Sequence, residues 1–158
     1  MNTDMKRRVF LRGSLAAGTV AVAAGAGLLA PQAVLAAWPE KAFMAKAPEE
    51  ALSGVFGSGQ SAASDQIKIK APDIAENGAV VPITISTDMA KVETIALLST
   101  ANNAPLVALF NMGESAAADV SIRIKMGKTG DVVAVVKSGG KLYANRKGVK
   151  VTIGGCGG

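Results

Sequence analysis

The 158-residue chain contains no histidine. Without an imidazole there can be no Ser-His or Cys-His nucleophile pair, no histidine metal ligand and no imidazole acid-base catalyst. Its single cysteine, Cys156, excludes an intramolecular disulfide framework, a two-cysteine redox motif and a thiolate metal cluster. Aromatic residues make up only 4% of the chain and apolar residues 49%, and at this length the composition allows one modest globular domain and not two. Any chemistry must therefore run on one thiol, on carboxylates or lysines, or on a partner. No cofactor and no metal are expected.

Charge is also sparse where nucleic-acid binding would need it. Seventeen basic residues against twelve acidic give +5, but Lys6, Arg7, Arg8 and Arg12 stand against Asp4 alone in the first 36 residues. Behind them are 13 basic and 11 acidic residues, a balance that offers no basic stripe on a folded domain. No nucleic-acid partner is expected. The front segment has the order of an export signal: a basic stretch, a Gly/Ala/Val/Leu-rich run over residues 15–30, then a small-residue site at Val34-Leu35-Ala36-Ala37. The Arg7-Arg8 pair followed by Phe10-Leu11 resembles a twin-arginine signal, with Lys6 where such signals carry Ser or Thr. Gly18, Thr19, Gly25, Gly27 and Pro31 make the run too weakly apolar for a stable membrane span. Cleavage after Ala36 or Ala37 and a periplasmic location are expected, and because this route exports folded proteins, a co-exported partner subunit is expected too.

The remaining chain is expected to be mainly β, an immunoglobulin-like sandwich with short N-terminal helices. Pro39 and Glu40 suit the start of one helix, and Leu52, Val55 and Phe56 form an apolar stripe on a second starting at Glu49. Gly57-Ser58-Gly59-Gln60-Ser61-Ala62-Ala63-Ser64 has the composition of a flexible linker. Beyond it the apolar period becomes two. Strands are expected at 67–70, 81–86, 91–98, 105–110, 119–126, 131–137, 141–145 and 148–153, with turns at Asn77-Gly78, where the pair suits a positive φ, and at 127–130, 139–140 and 145–148. Pro82 calls for an edge strand or a break, while the uniformly apolar Val132-Val133-Ala134-Val135-Val136 suits a central strand covered on both faces. The expected division is a twin-arginine signal peptide at 1–36, a helical segment and linker at 37–64, a β-sandwich at 65–153 and an arm at 154–158.

That arm is Gly154-Gly155-Cys156-Gly157-Gly158. A lone cysteine is commonly a small buried hydrophobe, but four glycines provide no side-chain area to enclose it and leave the backbone free. An exposed thiol follows. The three residues from Ile153 to Cys156 span about 10 Å when extended, enough to carry the sulfur into a cleft of another protein. An exposed thiol has a pKa near 8.5, so only about a few per cent is ionised at neutral pH, and no local base is present to activate it. The activating group should then belong to a partner, which makes the chain a substrate carrier and not an independent enzyme. A different use of the same thiol is an intermolecular disulfide on an exported immunoglobulin-like binding domain.

The arm, the preceding Lys150-Val151-Thr152-Ile153, the segment Ile74-Ala75-Glu76-Asn77-Gly78 before Val80-Val81-Pro82, and Arg123-Ile124-Lys125-Met126-Gly127 together resemble the SoxY family, the sulfur-carrying subunits of the periplasmic thiosulfate-oxidising system. The resemblance implies a heterodimer with SoxZ and covalent attachment of thiosulfate to Cys156 as a cysteine S-thiosulfonate. It also implies Gly154, Gly155, Gly157 and Gly158 as the swinging arm, and transient visits to the SoxAX cytochrome, the SoxB hydrolase and the SoxCD sulfur dehydrogenase. Glu76 and Asn77 are read as an ordinary turn, Arg123, Lys125 and Lys128 as a solvated face, and Tyr143 as packing. Glu93 and Asp131 have no visible paired carboxylate, so no catalytic residue is assigned.

Overall fold

The computed structural model describes residues 39–154. Arg7 and Arg8 with the rest of the export-like segment lie outside them, as do Gly155, Cys156, Gly157 and Gly158. The described chain runs through α1 (Glu40–Met44), α2 (Pro48–Phe56), β1 (Ala62–Ala63), β2 (Ile67–Lys70), β3 (Ile74–Asn77), β4 (Val81–Thr87), β5 (Val92–Ser99), β6 (Leu106–Asn111), β7 (Asp119–Ile124), β8 (Gly130–Ser138) and β9 (Lys141–Ile153). The fold is mainly β, an immunoglobulin-like sandwich with short helices ahead of it.

The helices start and stop for local reasons. Pro39 is the N-cap of α1, just outside the helix, and its carbonyl accepts the Ala42 N–H at 2.9 Å. Pro48 lies inside α2 in its first turn, one residue before the expected start, where its missing N–H costs nothing. Gly57, at φ 74°, ends α2 by donating to the Ser53 carbonyl at 2.9 Å, in a left-handed conformation that glycine adopts without strain.

The larger sheet has the order β1-β9-β8-β5-β6, with β3 also paired to β9, and the smaller has the order β2-β4-β7. The period-two pattern of β8 is what joins three layers. Val132, Ala134 and Val136 face the core between the sheets, with Ile67, Val81, Ile83, Ile85, Ile95, Leu97 and Val149. Val135, from the opposite face, belongs to a second core with Ala96, Leu98 and Leu106, covered by Ala42, Ala45, Ala51 and Leu52 of the helical segment. The expected doubly covered central strand is therefore present, and the weak helices are stabilised by docking on the outer face of the large sheet.

Several local expectations change. β9 is one strand of thirteen residues, with no turn at 145–148. Gly148 pairs in register with Asp131, and Asn145 donates from its side chain to the Ile67 carbonyl at 2.7 Å. Ile74–Asn77 is a strand, parallel to the end of β9, where a connection had been expected. The turn that follows is built by the Asn77 side chain, whose Oδ1 accepts the Ala79 N–H at 2.8 Å, and Gly78 does not adopt a positive φ. Ala62–Ala63, expected in the linker, pairs parallel with Tyr143 and Ala144. β7 stops at Ile124, because Asn102 takes the Lys125 carbonyl at 2.7 Å and the Gly127 N–H at 3.1 Å. β4, carrying Pro82, is central in its sheet. The proline is tolerated because β2 pairs only with residues 84–87, so that at Pro82 only β7 lies alongside.

Candidate functional site

The described chain ends one residue past β9, at Gly154, and the pairing changes along the end of that strand. β8 accompanies β9 only as far as Val149, the partner of Gly130. Past that point the strand is held on one side by β3, in the register Ile74 to Lys150, Ala75 to Val151 and Asn77 to Ile153. On the other side Thr129 replaces the missing strand. Its Oγ1 accepts the Val151 N–H at 2.9 Å and donates to the Val151 carbonyl at 3.3 Å, so one hydroxyl performs both halves of a ladder bond.

Gly78 fastens the last residue. Its N–H donates to the Ile153 carbonyl at 2.7 Å, and its own carbonyl accepts the Met126 N–H at 2.7 Å, tying the β3–β4 turn to the loop after β7. Thr152 Oγ1 adds a bond to the Glu76 carbonyl at 3.0 Å. Gly154 then passes so close to the Gly127 carbonyl oxygen that a Cβ at Gly154 would overlap it. Here glycine is required by a close approach, beyond any need for a flexible arm. Ile153 itself is 68% exposed, so the apolar alternation ends in solvent.

Beside this exit is a cleft of about 530 Å³ lined by Ala101, Asn102, Asn103, Ala104, Lys125, Gly127 and Lys128. The structure thus separates the three cations expected on one solvated face. Lys125 is half-buried and, with exposed Lys128, lines the cleft, whereas Arg123 is exposed on β7 opposite Pro82. Sequence reasoning missed this grouping because its residues come from two loops some twenty positions apart. Glu76 and Asn77 lie on β3 beside the arm's root. Tyr143 is half-buried against the inter-sheet core.

Glu93 and Asp131 are far apart in role as well as in sequence. Asp131 is the second residue of β8, where its backbone is bonded to Thr100. Glu93 pairs with Lys137 at 2.7 Å and accepts the Gly140 N–H at 3.0 Å. The Lys137 hydrogen bond, followed by that from Gly140, holds the Glu93 carboxyl below its ordinary pKa. Among the described residues no group of three or more Asp or Glu could hold a metal, and no helix is long and apolar enough to cross a membrane.

The family described as sulfur oxidation protein SoxY matches residues 52–156, from the middle of α2 through Cys156. The chain belongs to the SoxY family. Among solved structures, the sulfur carrier protein SoxY from Chlorobium limicola f thiosulfatophilum is 44% identical, with a TM-score of 0.61 over 66% of this chain and 94% of that one. A superoxide reductase (neelaredoxin) from Ignicoccus hospitalis is 20% identical over 54% of this chain and 79% of that one, with a TM-score of 0.49, a likeness too slight to transfer fold or chemistry. A comparison with curated proteins gave no match. Membership in SoxY assigns the chain to sulfur oxidation, supports a sulfur-carrier role and implies partners from the Sox system.

Proposed function

We propose that the protein carries thiosulfate-derived sulfur covalently on Cys156 and presents it to partner enzymes, while performing no catalysis itself. The observation that carries this reading is the family match extending to residue 156, two residues beyond the point where β9 and Gly78 have released the chain at Gly154. In the loading step the Cys156 thiol and thiosulfate join through a new S–S bond, giving a cysteine S-thiosulfonate. One proton and two electrons leave, the electrons passing to a c-type cytochrome partner. Water then attacks the outer sulfonate, releasing sulfate and two protons and leaving a cysteine persulfide anion on the carrier.

The division of labour follows from the thiol's surroundings. An arm of glycines can reach a foreign active site, and ordering five residues there costs roughly 1–2 kcal/mol each, which favours release after each visit. A heterodimer with a SoxZ-like subunit, export by the twin-arginine route from Arg7-Arg8, and a periplasmic site of action belong to the same proposal. Gly155, Gly157 and Gly158 complete the arm in this reading.

Reconstituted thiosulfate oxidation with the partner proteins tests it. Cys156→Ser and removal of residues 154–158 should each abolish turnover, with the fold retained. Undiminished oxidation by either variant would overturn the proposal, and a disulfide-linked dimer as the sole product at Cys156 would favour the binding-domain alternative.

A further inference from the structure

The dipeptide Asn77-Gly78 occurs once in the chain; the other asparagines precede Thr, Asn, Ala, Met or Arg. The fold puts it where β3 ends beside the last residue of β9, Asn77 being the strand partner of Ile153. An asparagine side chain is most open to attack by the following backbone nitrogen when glycine comes next, because glycine has no Cβ to obstruct the closing ring. Two hydrogen bonds govern that attack here. Ala79 N–H donates to Asn77 Oδ1 at 2.8 Å, closing a turn whose ring of atoms contains both Asn77 Cγ and the Gly78 nitrogen. The same N–H polarises the Asn77 amide and stands at the distance of an oxyanion donor from the oxygen that gains charge during attack. Gly78 N–H, by contrast, donates to the Ile153 carbonyl at 2.7 Å, in a residue that is itself buried. Its proton is held, so its nitrogen cannot act as a nucleophile while Ile153 stays fastened. A backbone amide bonded in this way reacts only through local opening, as in hydrogen exchange.

We propose that Asn77-Gly78 is a modification site guarded by the Ile153 carbonyl, at which succinimide formation converts Asn77 to isoaspartate and irreversibly unfastens the end of β9. When the bond between Gly78 and Ile153 opens, the Gly78 nitrogen loses its proton and bonds to Asn77 Cγ. The Cγ–Nδ2 bond breaks, and ammonia leaves with that proton. Water then opens the succinimide. Breaking the ring nitrogen's bond to Cγ gives aspartate on an unaltered backbone, whereas breaking its bond to the Asn77 main-chain carbonyl carbon gives isoaspartate, whose main chain runs through Cβ and Cγ. Water is consumed, ammonia is released, and no oxidant or reductant takes part.

The added main-chain carbon falls between β3 and Gly78. Gly78 makes two backbone bonds, its N–H to the Ile153 carbonyl and its own carbonyl to the Met126 N–H, both at 2.7 Å, and both depend on its position. The bonds from the Lys150 N–H to the Asp73 carbonyl at 2.9 Å and from Thr152 Oγ1 to the Glu76 carbonyl at 3.0 Å lie before the inserted atom and persist. Isoaspartate therefore frees Ile153 and the loop after β7 while the rest of β3 stays paired. None of this depends on what Cys156 carries.

The test incubates the full chain in mildly alkaline buffer, maps its peptides by mass and labels isoaspartate with an isoaspartyl methyltransferase. Asn77 should be converted ahead of Asn102, Asn103, Asn111 and Asn145. Conversion should be about tenfold or more faster in the same chain unfolded in urea, since folding holds Gly78 through two backbone bonds. Gly154→Ala, whose methyl would overlap the Gly127 carbonyl, and Thr129→Val, which removes the support at Val151, should each raise the folded-state rate about two- to tenfold, in step with amide exchange at Gly78. In the isoaspartate product, exchange at Gly78 and Met126 should accelerate while exchange at Lys150 stays slow. Asn77→Asp, with its ordinary backbone, should keep all three slow. Equal conversion in folded and unfolded chains, or a rate that does not follow Gly78 exchange, would overturn the guard. An Asn77 that stays intact even in urea would overturn the modification site, and isoaspartate with Gly78 and Met126 still protected would overturn the unfastening.

Discussion

Strand β9 begins and ends in different ways. At its first residues it is folded back on β8 through Gly139 and Gly140, with φ of 55° and 75°, the left-handed pair that suits a two-residue hairpin turn. That end is further closed by Glu93, which binds Lys137 and the Gly140 amide together. At its last residues β9 has outrun β8 and is held by a four-residue parallel strand, one threonine hydroxyl and the Gly78 amide. The first end is built for closure and the second for release at a fixed point. The buried side chains of the inter-sheet core lie between the two ends, with Val149 the last fully buried residue of the strand.

The sharpest test of this contrast sets the middle against the exit. Leu97→Ala, which removes a fully buried side chain from the inter-sheet core, should destabilise by about 2–5 kcal/mol in denaturant unfolding. Ile153→Ser, at a 68% exposed position, should stay within about 0.5 kcal/mol. Comparable losses at both sites would erase the distinction between core and exit.

Gly154→Ala follows in size. Its new methyl must displace the Gly127 carbonyl or the arm's root, at a cost of about 1–3 kcal/mol if the contact is kept. Amide exchange at Gly78 should accelerate if the root is displaced instead, and a variant unchanged in both measurements would show that the close approach is unimportant. Thr129→Val should cost about 1 kcal/mol and speed exchange at Val151, whose N–H loses its partner. Unaltered exchange at Val151 would remove Thr129 as the stand-in for β8.

The smallest effect belongs to the closed end. The folded-state pKa of Glu93 is depressed, so its contribution to stability is present above the ordinary carboxylate pKa and disappears as pH falls through the lowered value. Glu93→Gln should lower the Tm slightly at neutral pH and converge with the unaltered protein in acid. A Tm difference that persists down to about pH 2 would assign the effect to packing and not to ionisation.

The parts of the fold legible in the sequence are those fixed by local pattern. The alternation in β2, β4 and β7 and the continuous apolar run of β8 state directly how many faces each strand buries. β3 carried no such statement, since Ile74-Ala75-Glu76-Asn77 is a strand only because residues 150–153 lie beside it in the fold. Gly148 was misleading for a related reason: it looks like a turn residue, yet its place opposite Asp131 makes it part of a long ladder. For the site, the glycines around Cys156 were conspicuous in one dimension. The bonds from Thr129 and Gly78, and the approach of Lys125 and Lys128 to the arm's root, required three.

The central claim is most directly tested by mapping the sulfur itself. After incubation of the protein with thiosulfate and its oxidising cytochrome partner, peptide mass analysis should find a thiosulfonate adduct on the C-terminal peptide at Cys156, removed by reductant and absent in Cys156→Ser. An unmodified Cys156 during active thiosulfate oxidation would contradict the account.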